Sequence, residues 1–296
     1  MKIFEKIYSK LDATVKYIFQ ADDGLVYEMS YIHKPGDYKD IICVPSQTSC
    51  AMGCKFCHVT EVANKIVYRN LYVFELLYGI DYIYHNMELG VKHADKTLLI
   101  SFMGIGEPLY NVDNVVSTIR SLDNRYQVKT KFAVATSLPE AKWSEFFRFA
   151  SETQKLMLNV KMHLSLHFGD NIVRKEWMPN ALAIDPAVAA LEFYMNQIWK
   201  AEIHYALIAG VNDSVEDAKQ LRYLLLGRDI PVKLLTFNPM PGEDYKPSDE
   251  QSIGAFEEVL WEVDIQTERY TPPGYDVGAS CGQLMLGYYL EHNKKS

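Results

Sequence analysis

Thr97-Leu-Leu-Ile-Ser-Phe-Met-Gly-Ile-Gly-Glu-Pro108 is an apolar run of strand length that ends on a glycine-rich turn. Bounded by turn signals, residues 97–103 read as a buried strand. A helix pattern precedes them at about 72–89 and another follows at about 112–122. The alternation continues with strand 129–136, helix 139–151, strand 157–166, helices 170–178 and 185–199, and strand 201–209. Helix 214–227, strand 231–237, helix 250–261, a short strand 263–269 and a last helix 281–292 complete it. Strands alternating with helices of this length require βαβ crossovers and therefore a parallel sheet. Roughly six such units from about residue 40 onward predict an α/β fold built as a partial or complete β/α barrel. In that architecture functional groups gather at the C-terminal ends of the strands.

Ahead of this core, residues 14–20 and 25–32 are rich in β-branched and aromatic residues and are separated by Ala21-Asp-Asp-Gly24, a hairpin signal. Lys34-Pro-Gly-Asp37 marks a further turn, and Asp40 to Val44 another short strand. Residues 1–12 read as a short helix. The organisation expected is an N-terminal extension over 1–39, helix plus hairpin, and a barrel core over 40–296. The 296 residues are 48% hydrophobic and 23% charged, an ordinary globular composition. A formal net charge of −8 argues against a large non-specific nucleic-acid surface. Neither an export signal nor a run of about 18 apolar residues occurs, so the expected location is the cytoplasm, with no membrane partner. Thiols stay reduced there, so the five cysteines read as metal ligands or reactive groups rather than disulfides.

Cys50-Ala-Met-Gly-Cys54-Lys-Phe-Cys57 puts three thiols on a loop after a strand. Three thiolates at this spacing can hold three corners of a [4Fe–4S] cubane and leave one iron open. Zinc ordinarily takes four ligands and Cys-x2-Cys pairs. Gly106 and Glu107 follow the strand at 97–103. Glycine lets backbone approach a ligand closely, and a carboxylate can face an ammonium. Ser137, then Ser165 and His167, then Asn238 sit at the ends of later strands, at equivalent heights. His167 alone reads equally as a structural histidine, and Cys281 alone as a small buried hydrophobe.

Cys43-Val-Pro-Ser-Gln-Thr-Ser-Cys50-Ala-Met-Gly-Cys54 resembles the RlmN/Cfr family of the radical S-adenosylmethionine (SAM) superfamily. Phe102-Met-Gly-Ile-Gly-Glu-Pro-Leu109, Ala135-Thr-Ser137, Leu164-Ser-Leu-His167, Gly210-Val-Asn-Asp213, Phe237-Asn-Pro-Met-Pro-Gly242 and Ala279-Ser-Cys-Gly-Gln283 follow in family order. The resemblance spans about 14–292 and implies a radical SAM partial (β/α)6 TIM-like barrel with a small N-terminal β-hairpin extension. It implies that Cys50, Cys54 and Cys57 ligate the cluster and that SAM chelates the open iron. The segment with Gly106 and Glu107 then grips the SAM amino group, within a ring completed by Ser137, Ser165, His167 and Asn238. By the same resemblance, Cys281 accepts a methyl from one SAM. A radical made from a second SAM activates that methyl, and the methylene adds to an adenine ring carbon in RNA, carbon 2 before carbon 8. Cys43 is implied to release the product through a transient disulfide with Cys281. Glu28 reads either as the proton acceptor or as an exposed strand carboxylate. A one-electron donor such as flavodoxin or ferredoxin is implied as a partner. Arg69-Asn-Leu71 also echoes the family, with no role assigned.

Typical family members carry an N-terminal helical accessory domain that grips RNA, whereas only about a dozen residues precede the hairpin here. With the acidic balance, this leaves three readings: an rRNA or tRNA methyl synthase, the same chemistry on a free nucleotide, or a non-catalytic iron–sulfur protein. Lys92, Lys96, Arg120, Arg125, Lys129 and Lys131 are the candidate RNA contacts, and equally a solvated face.

Overall fold

The computed structural model describes residues 1–33, 36, 38–86, 96–197, 200–239, 244–280 and 283. Its frame is one ten-stranded sheet in which spatial order follows chain order. The strands are β1 (Lys2–Tyr8), β2 (Ala13–Gln20), β3 (Val26–His33), β4 (Lys39–Cys43) and β5 (Thr97–Phe102). They continue as β6 (Lys129–Thr136), β7 (Val160–Ser165), β8 (Ala201–Leu207), β9 (Val232–Thr236) and β10 (Thr267–Tyr270). β1 to β4 pair antiparallel, and β4 to β10 pair parallel throughout.

Each parallel step is bridged by helix. α1 (Val59–Val62) and α2 (Val73–His85) lie between β4 and β5, α3 (Val112–Leu122) between β5 and β6, and α4 (Trp143–Lys155) between β6 and β7. α5 (Asn171–Trp177) and α6 (Ile184–Gln197) precede β8, α7 (Val215–Leu225) precedes β9, and α8 (Glu250–Trp261) precedes β10. Six crossovers are therefore present, as the alternation in the sequence requires. The expected helix at 281–292, apart from residue 283, lies outside the described residues, as do Lys34, Pro35 and Asp37 of the expected turn.

The helix expected over 1–12 is instead the edge strand β1. Ile3 and Ile7, four apart, imitate a helical stripe. A register shift between Ile3 and Glu5 lets the two work on opposite faces of the sheet. Ile3 packs on the main core, and Ile7 packs against Ile18 and Val26 on the other side. The free edge of β2 thus overrides local helix preference.

Alternation along each strand separates two environments. On β2, Val15, Tyr17 and Phe19 join the main core, which packs the outer face of the sheet against the helices. Gly79 of α2 lets the helix lie close here, since a Cβ would come within 2.7 Å of the end of the Met29 side chain, which would have to shift. Thr14, Lys16 and Ile18 point the other way, into the lumen. Pairing aligns Lys16 with Ser30, Ser30 with Cys43, Cys43 with Ser101 and Ser101 with Ala133, so one row of lumen-facing residues crosses five strands.

A clasp joins the two ends of the chain. Ser9 Oγ and Lys10 N donate to the Asp276 carboxylate at 2.7 Å each, and Gly274 N donates to Asp12 Oδ2 at 2.8 Å. Lys16 Nζ donates to the Gly278 carbonyl at 3.1 Å. No helix among the described residues is long and apolar enough to cross a membrane.

Candidate active site

The C-terminal ends of β5 to β9 and the loop after β4 enclose one cavity of about 180 Å³. Cys50, Cys54, Cys57, Gly106, Glu107, Ser137, Ser165, His167 and Asn238 all line it. Nine residues spread over about 190 positions of sequence therefore converge on one space.

Two segments interlock to build its wall. Gly104 N donates to Val44 O, and Ser46 N to Ile105 O. Cβ atoms on Gly104 and Gly106 would lie 2.7 Å from Pro45 N and from the Ser46 and Gln47 side chains. These glycines are thus required by the close approach of the loop behind them. Gln47 Oε1 accepts from Glu107 N, and Gln47 Nε2 donates to Asn70 Oδ1 at 2.7 Å. Asn70 Nδ2 donates to Tyr110 O, and Arg69 forks onto Glu75. The Arg69-Asn70-Leu71 segment therefore buttresses the wall.

Glu107 is buried and fixed. Its Oε1 accepts from Leu109 N at 3.1 Å and Thr136 Oγ1 at 2.6 Å, and its Oε2 accepts from Ser137 N at 2.9 Å. Burial pushes the carboxyl up to about 7, against the pull of these hydrogen bonds. Each carboxylate oxygen can accept about two bonds, so Oε2 retains one site for a ligand N–H.

His167 adopts φ +60°, the left-handed region. Asn212 of the Gly210-Val-Asn-Asp213 segment holds it there, donating to His167 O at 2.7 Å and to Ala206 O at 2.8 Å. The Nδ1 of His167 accepts from Ala206 N at 2.9 Å, which assigns the proton to Nε2. Burial, reinforced by the Arg174 cation, lowers the imidazole to about 3, so it is neutral at physiological pH. The structural reading of His167 is seen at Nδ1, and the side chain also lines the cavity. Asn238 Nδ2 is buried without a hydrogen-bond partner among the described residues, a donor in want of an acceptor.

The thiols are suited to a cationic cluster. Burial, and then repulsion from Cys57, pushes Cys50 up to about 12, and Cys54 is raised well above its ordinary value for the same reasons. Thiolates in this setting require a cation between them, and iron provides it. The orphaned Asn238 donor and the open acceptor site on Glu107 fit the polar groups of SAM. The chain thus has residues to hold both cofactors.

The remaining expected residues lie nearby. Cys43 ends β4 in the lumen-facing row, two positions along the sheet from cavity-lining Ala135 through Ser101 and Ala133. Glu28 faces the same lumen, two residues before Ser30. It is not the exposed carboxylate of the alternative reading: it is 3% exposed and pairs with fully buried Lys16 at 2.8 Å. Cys281 lies outside the described residues. Its neighbours are anchored: Ser280 Oγ donates to Pro272 O and Pro273 O, and Gln283 Nε2 donates to Pro239 O, beside Asn238.

Lys16 carries no ligand signal in the sequence, and Thr136 and Asn212, although inside quoted motifs, carry no assigned role there. Alternation along β2 places Lys16 on the inner face, but nothing local says that a lysine there meets Glu28. Of the candidate RNA contacts, Arg120, Arg125, Lys129 and Lys131 lie at the end of α3 and the start of β6, the opposite end of the barrel from the cavity. Arg125 is also paired with Asp81 at 2.6 Å. Lys92 lies outside the described residues.

Deeper in the lumen, Glu202 meets His163 at 3.0 Å and His204 at 3.1 Å. Lys161 and Lys233 also reach Glu202, so two ammoniums already face one carboxylate and a further cation has no electrostatic reason to enter.

No family model matches the chain. The probable dual-specificity RNA methyltransferase RlmN of Thermotoga neapolitana is 32% identical over 293 residues, covering 97% of this chain and 80% of that protein. The dual-specificity RNA methyltransferase RlmN of Syntrophobacter fumaroxidans is 32% identical over 280 residues, covering 94% and 78%. Among solved structures, a radical SAM methyltransferase from Sphaerobacter thermophilus superposes with a TM-score of 0.82 at 26% identity, over 95% of this chain and 80% of its own. With the three-cysteine loop and the Glu107 segment facing one cavity on the same fold, this similarity is family membership: the chain belongs to the RlmN family of radical SAM RNA methyltransferases.

Proposed function

We propose that the protein methylates an adenine in RNA at carbon 2, with Cys281 as the carrier of the methyl group. The observation that supports this most is the convergence of the cluster cysteines and the polar strand-end residues on one cavity, with the neighbours of Cys281 anchored at its rim. A [4Fe–4S] cluster bound there, reduced by a flavodoxin- or ferredoxin-type donor, would supply the one-electron chemistry that splits SAM into methionine and a 5′-deoxyadenosyl group.

In this reading Cys50, Cys54 and Cys57 hold the iron. Glu107 takes the SAM amino group at the open site on Oε2, and Asn238 Nδ2 and His167 Nε2–H donate to SAM acceptors beside Ser137 and Ser165. Cys281 carries the methyl toward an amidine carbon that is not nucleophilic and so cannot be methylated by simple displacement from SAM. Cys43, in the lumen-facing row, supplies the thiol that frees the product. Glu28, kept close to the cationic Lys16, accepts the proton.

The test is anaerobic reconstitution with SAM, dithionite and total cellular RNA, followed by mass spectrometry of the digested nucleosides. Methylation at adenine carbon 2 is expected with the intact chain and not with Cys281→Ala. A product that co-elutes with the carbon-8 isomer would overturn the position. A free adenine nucleotide is the second reading, favoured by the net charge of −8 and by basic residues at the far end of the barrel. Formation of 5′-deoxyadenosine with unmodified RNA would overturn the RNA substrate, and methylation of an added free adenine nucleotide would then establish the second reading.

A further inference from the structure

Arg174 on α5 is 1% exposed. Asp170 caps this helix, accepting from Ile172 N at 2.7 Å and Val173 N at 2.9 Å, and so fixes where Arg174 points. The guanidinium donates only to uncharged acceptors. Nε reaches Leu182 O at 3.1 Å, Nη1 reaches Ser165 O at 3.2 Å and also Leu166 O, and Nη2 reaches Ser137 O at 3.1 Å. It has no carboxylate partner among the described residues. Burying a guanidinium without an acid is costly, and a negative charge nearby offsets part of that cost. Ser137 and Ser165, whose carbonyls it holds, line the same cavity as Cys50, Cys54 and Cys57, which places its charge beside the three thiols.

The same segment braces the cluster loop. Lys55 N donates to Trp177 O at 2.8 Å, and Asn180 Nδ2 donates to Ala51 O at 3.0 Å and Met52 O at 3.3 Å. The positive charge is therefore held at a fixed position relative to the thiols.

We propose that Arg174 is the fixed counter-charge of the iron–sulfur cluster and raises its reduction potential. This rests on the cluster reading above. Three thiolates on a [4Fe–4S] core of charge +2 carry a net charge of −1, and one electron makes it −2. In an apolar cavity the second negative charge is disfavoured, and a nearby cation recovers part of that cost, since net charge and burial are the levers on such potentials. Through the Ser137 and Ser165 carbonyls, the same side chain positions two strand ends of the SAM ring.

The test is an EPR-monitored redox titration of the reconstituted full chain without SAM, comparing the parent with Arg174→Lys, Arg174→Gln and Arg174→Met. Iron content and the EPR signal of the parent are read first; a parent that assembles no [4Fe–4S] cluster overturns the cluster reading and this inference with it. With the parent loaded, the two neutral variants are expected to shift the one-electron equilibrium toward the oxidised form by about tenfold or more, which is 59 mV. Arg174→Lys keeps the charge and loses the fork, so it stays near the parent potential while its SAM affinity falls. Equal midpoints in all four proteins, or a fall in the lysine variant as large as in the neutral ones, overturns the inference alone. If only the charged forms retain the cluster, the counter-charge stands; if the lysine variant loses it as readily as the neutral ones, it falls.

Discussion

Lys16→Met is expected to lower the unfolding free energy of the cluster-free chain by about 3–5 kcal/mol, the usual consequence of stranding one member of a buried ion pair. Lys16 is fully buried and Glu28 is 3% exposed, with 2.8 Å between them. The variant also removes the donor to the Gly278 carbonyl, so the clasp loses one of its hydrogen bonds. A domain holds only about 5–15 kcal/mol in total, so the variant should unfold at clearly lower guanidinium concentration under anaerobic conditions. The double replacement Lys16→Met with Glu28→Leu should recover most of that loss, because a packed apolar pair replaces a buried ion pair at little or no cost. RNA methylation should not return with it. That combination would place the pair in the reaction and not in the stability of the fold. A loss below about 1 kcal/mol in the single variant, or a double variant as unstable as the single, would contradict this account.

Glu107→Gln should weaken SAM binding to the oxidised, cluster-loaded protein by at least about 100-fold, from the loss of a charge-assisted bond and a stranded donor, together about 3 kcal/mol or more. An amide cannot satisfy this position in either orientation. With its NH2 at Oε2 it faces the Ser137 N–H and turns a donor toward the ligand; with its NH2 at Oε1 it faces the Leu109 N–H. The parent should also bind SAM more tightly as pH rises. The Glu107 carboxyl sits near 7, so it is protonated below that value and ionised above it. If the ionised form takes the amino group, affinity at pH 6 is about tenfold lower than at pH 8, and the glutamine variant loses that slope. Calorimetric titration at both pH values reads both effects, and a variant within about fivefold of the parent, roughly 1 kcal/mol, would refute the assignment.

Much of the architecture was legible because its signals are local. Apolar runs such as Thr97 to Phe102, alternating with helical stripes, specify βαβ steps regardless of what packs on them. The cavity was legible for a related reason: Glu107, Ser137, His167 and Asn238 follow β5, β6, β7 and β9, and parallel register brings strand ends together. The failures share the opposite cause. β1 is a strand only because β2 presents an edge some ten residues later in the chain. Lys16 matters only because β3 folds back to set Glu28 diagonally beside it. The need for Gly104 and Gly106 comes from Val44 to Gln47, about sixty residues earlier, and not from the ligand side. Thr136 and Arg174 act through bonds to groups whose sequence positions carry no hint of them.

The clasp has a consequence for how the molecule is made. Each of the ten strands lies beside its predecessor in the chain, so the sheet grows by short-range additions that cost little in loop closure. The clasp breaks that pattern: its partners stand 262 to 267 residues apart. A chain that emerges N-terminus first can assemble the cysteine loop and the polar strand ends before the segment bearing Cys281 exists. That segment is synthesised late and docks last, against the first hairpin of the fold. Until it docks, Lys16 lacks its bond to the Gly278 carbonyl, and the Lys16–Glu28 pair is without that cover.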